Sequence, residues 1–396
     1  MTDTRLSAFV NQMQAPATLA MAQKARDVAA QGHDVINLSI GEPDFDTPQH
    51  IKDAAIKAIQ AGHTSYTPVP GHAILREAIC NKLQRENGLR YQPEQILVST
   101  GAKQSIANTC LALLEEGDEA ILLTPYWVSY FTIAEMTGAA VVQLAADVSN
   151  NFKVTPEQLR ARLNERSKLM IFSSPCNPTG AVYSHKELEA LAEVLRDFPN
   201  LYVISDEIYE HINFGDRHAS LAGIDGMYNN TITVNGFSKG YAMTGWRLGY
   251  LAAPEWIAKA TAKIQGQFTS GTCNFNQYAA IEALQGDMQP TYAMTASYLQ
   301  RRDMMIELLS PIKDFQIAKP EGAFYLFPDV SRLFGKTVHG VTLHTADDVV
   351  ELLLERSHIA TVSGSAFGDS NCIRLSIATE EGRLREAAER MVKLFS

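Results

Sequence analysis

The chain alternates short apolar runs with longer stretches in which apolar residues return every three or four positions. Gln95–Ser99, Glu119–Leu123, Lys168–Phe172, Leu201–Ser205, Thr231–Val234 and Leu248–Leu251 are rich in aliphatic and β-branched residues and predict strands. Ser105–Leu114 and His185–Arg196 carry the helical spacing between them. Near-continuous apolarity belongs to strands buried on both faces, so the expected fold class is α/β, a mostly parallel sheet covered by helices.

The ends read differently. A long helix pattern over Tyr292–Leu309 is followed by strand candidates at Ala323–Phe327, Ile359–Val362 and Cys372–Ile377, and a closing helix begins at Thr379. This predicts a large domain over 47–290 and a smaller α+β domain made of both chain ends, 1–46 and 291–396. At 396 residues the chain is long enough for two cores.

Composition narrows the function. A hydrophobic fraction of 46% and a charged fraction of 20% are those of a soluble globular protein. The net charge of -10 argues against a nucleic-acid surface, and no stretch is long and apolar enough to span a membrane. Five cysteines are scattered and never spaced C-x-x-C, which fits reduced thiols and no metal site. The polar N-terminus gives no sign of a signal peptide, so the expected compartment is the cytoplasm.

Three segments carry candidate chemistry. In Val234–Gly249, Lys239 follows a buried strand among small residues, with Arg247 eight positions on. A free lysine titrates near ~10.4; desolvation or a neighbouring cation lowers that value and allows a Schiff base. Arg247 supplies the cation and a fork of donors for a phosphate. A surface lysine beside a paired arginine fits the same spacing. In Val203–Tyr209 an apolar strand runs into Asp206 and Glu207 at its carboxyl end, where α/β sheets bind ligands, although a helix cap also uses Asp. Ser99–Gln104 joins a strand to a helix through small residues that let backbone N–H groups approach an anion; a tight turn explains it equally well.

Two further segments resist a purely structural reading. Asn177 stands between Pro175 and Pro178, which restrict the backbone around it. Arg374 lies within an apolar strand and needs an anionic partner, either an internal carboxylate or a ligand.

In this order, these residues resemble the fold-type I aminotransferases that use pyridoxal 5'-phosphate (PLP), and more closely the bacterial aspartate aminotransferases of class I, subgroup Ib. The resemblance runs from Leu38–Pro48 to Arg374-Leu375-Ser376 and is most specific at Pro125–Tyr130, Asn177–Gly180, Ser205–Glu210 and around Lys239. It implies that Lys239 bonds PLP and shuttles a proton, and that Asp206 pairs with the ring nitrogen. Asn177 and Tyr209 then meet the 3'-oxygen, and Trp127 stacks on the ring. Gly101, Ala102, Lys103, Ser238 and Arg247 form the phosphate cup. Tyr66 resembles a phosphate ligand given by a neighbouring subunit, which implies a homodimer with shared sites. Arg374 and Gly41 hold the substrate α-carboxylate.

For the substrate, Lys103 and Thr18 match the family's receivers of an acidic side chain. Gln14-Ala15-Pro16-Ala17-Thr18 lacks the Lys and Ser of the common K-P-S-A-T, which ranks prephenate below aspartate. The expected reaction is L-aspartate with 2-oxoglutarate. Broader or aromatic specificity of the kynurenine or glutamine-phenylpyruvate kind comes next. A PLP lyase shares the fold, but the Asn177 and Arg374 motifs favour transamination. A regulator built on this fold would need a DNA-binding domain ahead of Gly41, and the segment there is short.

Overall fold

The computed structural model describes residues 4–13, 17–215 and 217–396. Gln14, Ala15 and Pro16 of the K-P-S-A-T comparison lie outside the described residues. Among those described, the largest sheet has seven strands: β1 (Ile96–Ser99), β2 (Glu119–Thr124), β3 (Ala140–Ala145), β4 (Ser167–Ser173), β5 (Tyr202–Asp206), β6 (Thr231–Gly236) and β7 (Gly249–Ala252). Their spatial order is β1-β7-β6-β5-β4-β2-β3. Only β7 runs antiparallel, to both β1 and β6; the other pairs are parallel.

Along strands β2, β4 and β5 of this sheet, side chains alternate between two cores. Ala120, Leu122, Leu169, Ile171 and Ile204 enter one. Ile121, Leu123, Met170, Phe172 and Val203 enter the other. Helices α1 (Ala102–Leu113), α2 (Ser129–Glu135) and α4 (Glu255–Phe268) cover the first face, and α3 (His185–Leu195) the second. Ser184 caps α3 by accepting from the Glu187 N–H, and the Glu187 carboxylate accepts from the Ser184 N–H in return. Full burial of each aliphatic side chain contributes about 1.5–3 kcal/mol. Sequence reading missed β3 for a physical reason. It is an edge strand in which only Val142 is buried, so its run is diluted by exposed positions.

The chain ends build a separate core. Met21, Ile36 and Leu38 pack with residues of α5 (Gln289–Leu309), α6 (Ala346–Ser357) and α7 (Glu381–Phe395). Strands β8 (Tyr325–Leu326), β9 (Val362–Ser363) and β10 (Ile373–Ser376) form a small antiparallel sheet in the order β9-β10-β8. The strand expected over Ile359–Val362 is divided. Ile359–Ala360 pairs in parallel with Ile36–Asn37, whereas Val362 pairs with Arg374.

Strand β7 fixes the start of α1. A Cβ on Gly249 would fall 2.4 Å from the Ala102 nitrogen and 2.8 Å from the Gly101 carbonyl carbon, both backbone atoms. Gly249→Ala is therefore expected to lower stability by about 1–3 kcal/mol through overpacking. An unchanged urea midpoint would show that α1 can move away at no cost.

Candidate active site

The carboxyl ends of the parallel strands open into a cavity of about 420 Å³. Ser173 closes β4, Asp206 closes β5, and Ser238 and Lys239 follow β6. Ala102 and Lys103 reach it from the first turn of α1, Gly41 from the N-terminal segment, and Tyr325 and Arg374 from the small sheet. Ligands of α/β sheets bind in this position.

The half-buried Lys239 and the buried Arg374 both face the space, and among the described residues neither is paired with a carboxylate. Lys239 Nζ donates to the Gly41 carbonyl at 2.6 Å. Burial lowers its pKa to about 8, with Arg374 and Arg247 adding to the fall and Glu42 opposing it. Arg374 is 1% exposed. It donates to Asn177 Oδ1 at 3.0 Å and to the Ser39 carbonyl at 2.6 Å. Its guanidinium lies 4.6 Å from the Tyr325 ring centre and 4.9 Å from that of Phe367. Among the described residues no carboxylate pairs with it, and its Nε has no hydrogen-bond partner. The internal salt bridge open to it on sequence grounds is absent there.

Among the described residues that line the cavity the buried carboxylate is Asp206, and it caps no α-helix. Tyr130 Oη donates to its Oδ2 at 2.5 Å and the Ile208 N–H to its Oδ1 at 3.2 Å. Burial raises its pKa to about 6, against the pull of the Tyr130 bond. Next to it the Tyr209 and Tyr325 hydroxyls share a hydrogen bond of 2.8 Å.

An anion cradle lies at the other end. Gly101 has φ 83°, and a Cβ there would stand 2.6 Å from Arg247 Nη2, so only glycine leaves the guanidinium its place. Arg247 itself has φ 54° and donates to the Thr244 carbonyl at 3.0 Å. The free N–H groups of α1 begin beside it, and Gly101 offers no side-chain cap. Lys103 Nζ sits 4.7 Å from the Trp127 ring centre. Burial, and then Arg247, lower its pKa.

The structure thus gathers Thr18, Gly41, Ala102, Lys103, Trp127, Asn177, Asp206, Tyr209, Ser238, Lys239, Arg247 and Arg374 around one space, with Gly101 behind Arg247. Tyr66 is 99% exposed and does not line it. Sequence reading overlooked Tyr130, Ser173, Thr244 and Tyr325. A tyrosine in an apolar segment looks like core; only its buried hydroxyl, which needs a partner, gives it away. Behind Asp206, Glu207, Glu210 and His218 offer ligand atoms close enough for a metal, as do Glu86, Glu210 and His211. Lys82 already pairs with Glu210 in both groups, and among the described residues nothing indicates an ion there.

Fold and site together suit an enzyme that moves an amino group between an amino acid and a 2-oxo acid. The chain belongs to the class I and II aminotransferase family, whose profile matches residues 33–391. It is 47% identical over 377 residues to an aspartate/prephenate aminotransferase of Cereibacter sphaeroides, covering 94% of each chain. The crystal structure of an aspartate aminotransferase from Rhizobium meliloti superposes with a TM-score of 0.96 at 40% identity, covering 99% of both chains. An aspartate aminotransferase of Thermus thermophilus with maleate gives 0.91 at 38% identity, over 98% of this chain and 99% of that one. The chain is an aminotransferase. No helix among the described residues is long and apolar enough to cross a membrane.

The environment of Lys239 can be tested directly. Trace acetylation read by mass spectrometry on the ligand-free protein should show its amine becoming reactive with a midpoint near pH 8, where burial places it. A midpoint near ~10.4, that of a free lysine, would show that the amine is solvated.

Proposed function

We propose that this aminotransferase works with PLP held at Lys239 and transfers the amino group of L-aspartate to 2-oxoglutarate. One observation carries the reading: the cavity collects a buried guanidinium without a carboxylate, an amine with a lowered pKa and a buried carboxylate.

The residues present suit PLP. Arg247, Ser238 and the first N–H groups of α1 would hold its phosphate, with Gly101 keeping the approach open. Asp206 would hold the ring nitrogen, Asn177 and Tyr209 the 3'-oxygen, and Trp127 a ring face. When bound, PLP supplies a sink for the carbanion charge that develops at the substrate Cα. The protein supplies the rest. Arg374, aided by Gly41, binds the α-carboxylate and so fixes the amino acid's orientation. Lys239 Nζ, neutral above about pH 8, takes the Cα proton and would return it at the cofactor's C4', across the intervening nitrogen. The surrounding aromatic and aliphatic walls keep water from competing for that proton.

Lys103 and Thr18 suit a distal carboxylate, which supports aspartate. Relatives named for prephenate as well as aspartate support that larger oxo acid as a second acceptor. The bare, exposed Tyr66 supports a homodimer in which this side chain serves the partner's phosphate site.

Three variants test the reading. Lys239→Ala should abolish turnover and the covalent capture of PLP by borohydride. Lys103→Ala should lower kcat/KM for aspartate by about 2–5 kcal/mol, as loss of one partner of a desolvated charge pair does, and leave phenylalanine nearly unchanged. Arg374→Ala should depress both donors alike, because each carries an α-carboxylate. Equal losses for aspartate and phenylalanine in Lys103→Ala would remove the side-chain assignment.

A further inference from the structure

Asp206 is held by neutral donors only. Its oxygens accept from Tyr130 Oη at 2.5 Å and from the Ile208 N–H at 3.2 Å. Tyr130 is wholly buried in the first turn of α2, where its ring packs at 5.6 Å, edge-on, against Trp127. A phenol placed there keeps its proton, because burial and the neighbouring carboxylate both push its pKa up. It can therefore donate to Asp206 throughout the working range. The core alone would be served as well by phenylalanine, so the hydroxyl is the part that needs explaining.

We infer that Tyr130 is a positioning residue whose hydroxyl keeps the Asp206 carboxylate ionised and aimed into the cavity. The inference rests on the assignment of Asp206 to the PLP ring nitrogen. A hydrogen bond to the charged form of a buried acid opposes the effect of desolvation. Two such donors stand against the burial of Asp206, and Tyr130 gives the shorter one. The other titratable groups near Asp206 leave this task to it. The Cys176 thiol, in the turn after β4, is held protonated by burial. Tyr209 is likewise kept neutral by burial. Glu207, the next residue, is engaged by His218 at 3.0 Å and by the Ser205 and Ser220 hydroxyls. Lys239 acts on Asp206 through space without a bond to it. A carboxylate that lost the Tyr130 bond would protonate at higher pH and could no longer stabilise a protonated ring nitrogen.

The test is the pH dependence of PLP binding to the full chain freed of cofactor, measured by fluorescence titration from pH 5 to 9. Wild type, Tyr130→Phe, Asp206→Asn and the double variant are compared, with melting temperatures as a control on packing. The PLP phosphate is common to all four, and Asp206 also acts on Lys239 through space, so the effect of Tyr130→Phe is read only between curves with the same residue at position 206. In Tyr130→Phe the acid-side loss of affinity should move up on the order of one pH unit. In the Asp206→Asn background the same substitution should move nothing. A uniform weakening of Tyr130→Phe at every pH, or a curve identical to wild type, would overturn the role of the hydroxyl. An equal shift in the Asp206→Asn background would overturn it too. If Asp206→Asn binds PLP with the wild-type curve, the ring-nitrogen assignment fails first, and this inference fails with it.

Discussion

The structure is organised around the burial of Arg374. Taking a guanidinium out of water costs several kcal/mol even after the surroundings relax, and a protein ordinarily meets that cost with a carboxylate. Here the charge is met by the Ser39 carbonyl, the Asn177 amide oxygen and two aromatic faces. These come from the N-terminal segment, the turn after β4, the strand β8 and the loop after β9. Segments far apart in sequence must converge before the cation is tolerated. The cavity lies at that point of convergence because the charge remains short of one anion.

The same imbalance shapes the whole pocket. Lys103, Lys239, Arg247 and Arg374 face one buried carboxylate, Asp206, within a chain whose net charge is -10. A small positive concavity in a negative molecule focuses the field on the opening and favours doubly charged anions. Desolvation acts on the two groups in opposite directions, lowering the amine of Lys239 to about 8 and raising the acid of Asp206 to about 6. Buried polar groups behind the sheet support this arrangement. Lys82, Asn87 and Asn235 engage Glu210, while Ser205, Ser220 and His218 engage Glu207. The turn carrying Asp206 and Tyr209 is thus braced from the far side.

Much of this was legible in the sequence because some residues are hard to place otherwise. An arginine in an apolar strand, an asparagine between prolines, and an acid at a strand's end each demand a partner, and Arg374, Asn177 and Asp206 meet at one space. The parallel sheet was legible because its central strands are apolar on both faces. Edge strand β3 was not, since one exposed face and one unpaired side leave it looking like a loop. Tyr130 and Tyr325 were hidden for the opposite reason. Their rings satisfy the apolar pattern, and their hydroxyls acquire meaning only through contacts across 76 and 116 residues of chain. The division of Ile359–Val362 between two partners was likewise invisible, because β propensity does not state which neighbour a strand will find.

The segment from Leu38 to Gly41 steadies both cations with main-chain oxygens alone, Ser39 O for Arg374 and Gly41 O for Lys239. Such an arrangement uses no side-chain atom of Ser39, whose buried hydroxyl turns instead to Asn37. At Gly41 no side chain is tolerated, since the Tyr325 hydroxyl stands 2.5 Å from where a Cβ would be. Divergence along this segment is therefore constrained unevenly. A change at Ser39 must fit a buried place but leaves the carbonyl that meets Arg374, and a single methyl group two residues later would meet the Tyr325 hydroxyl.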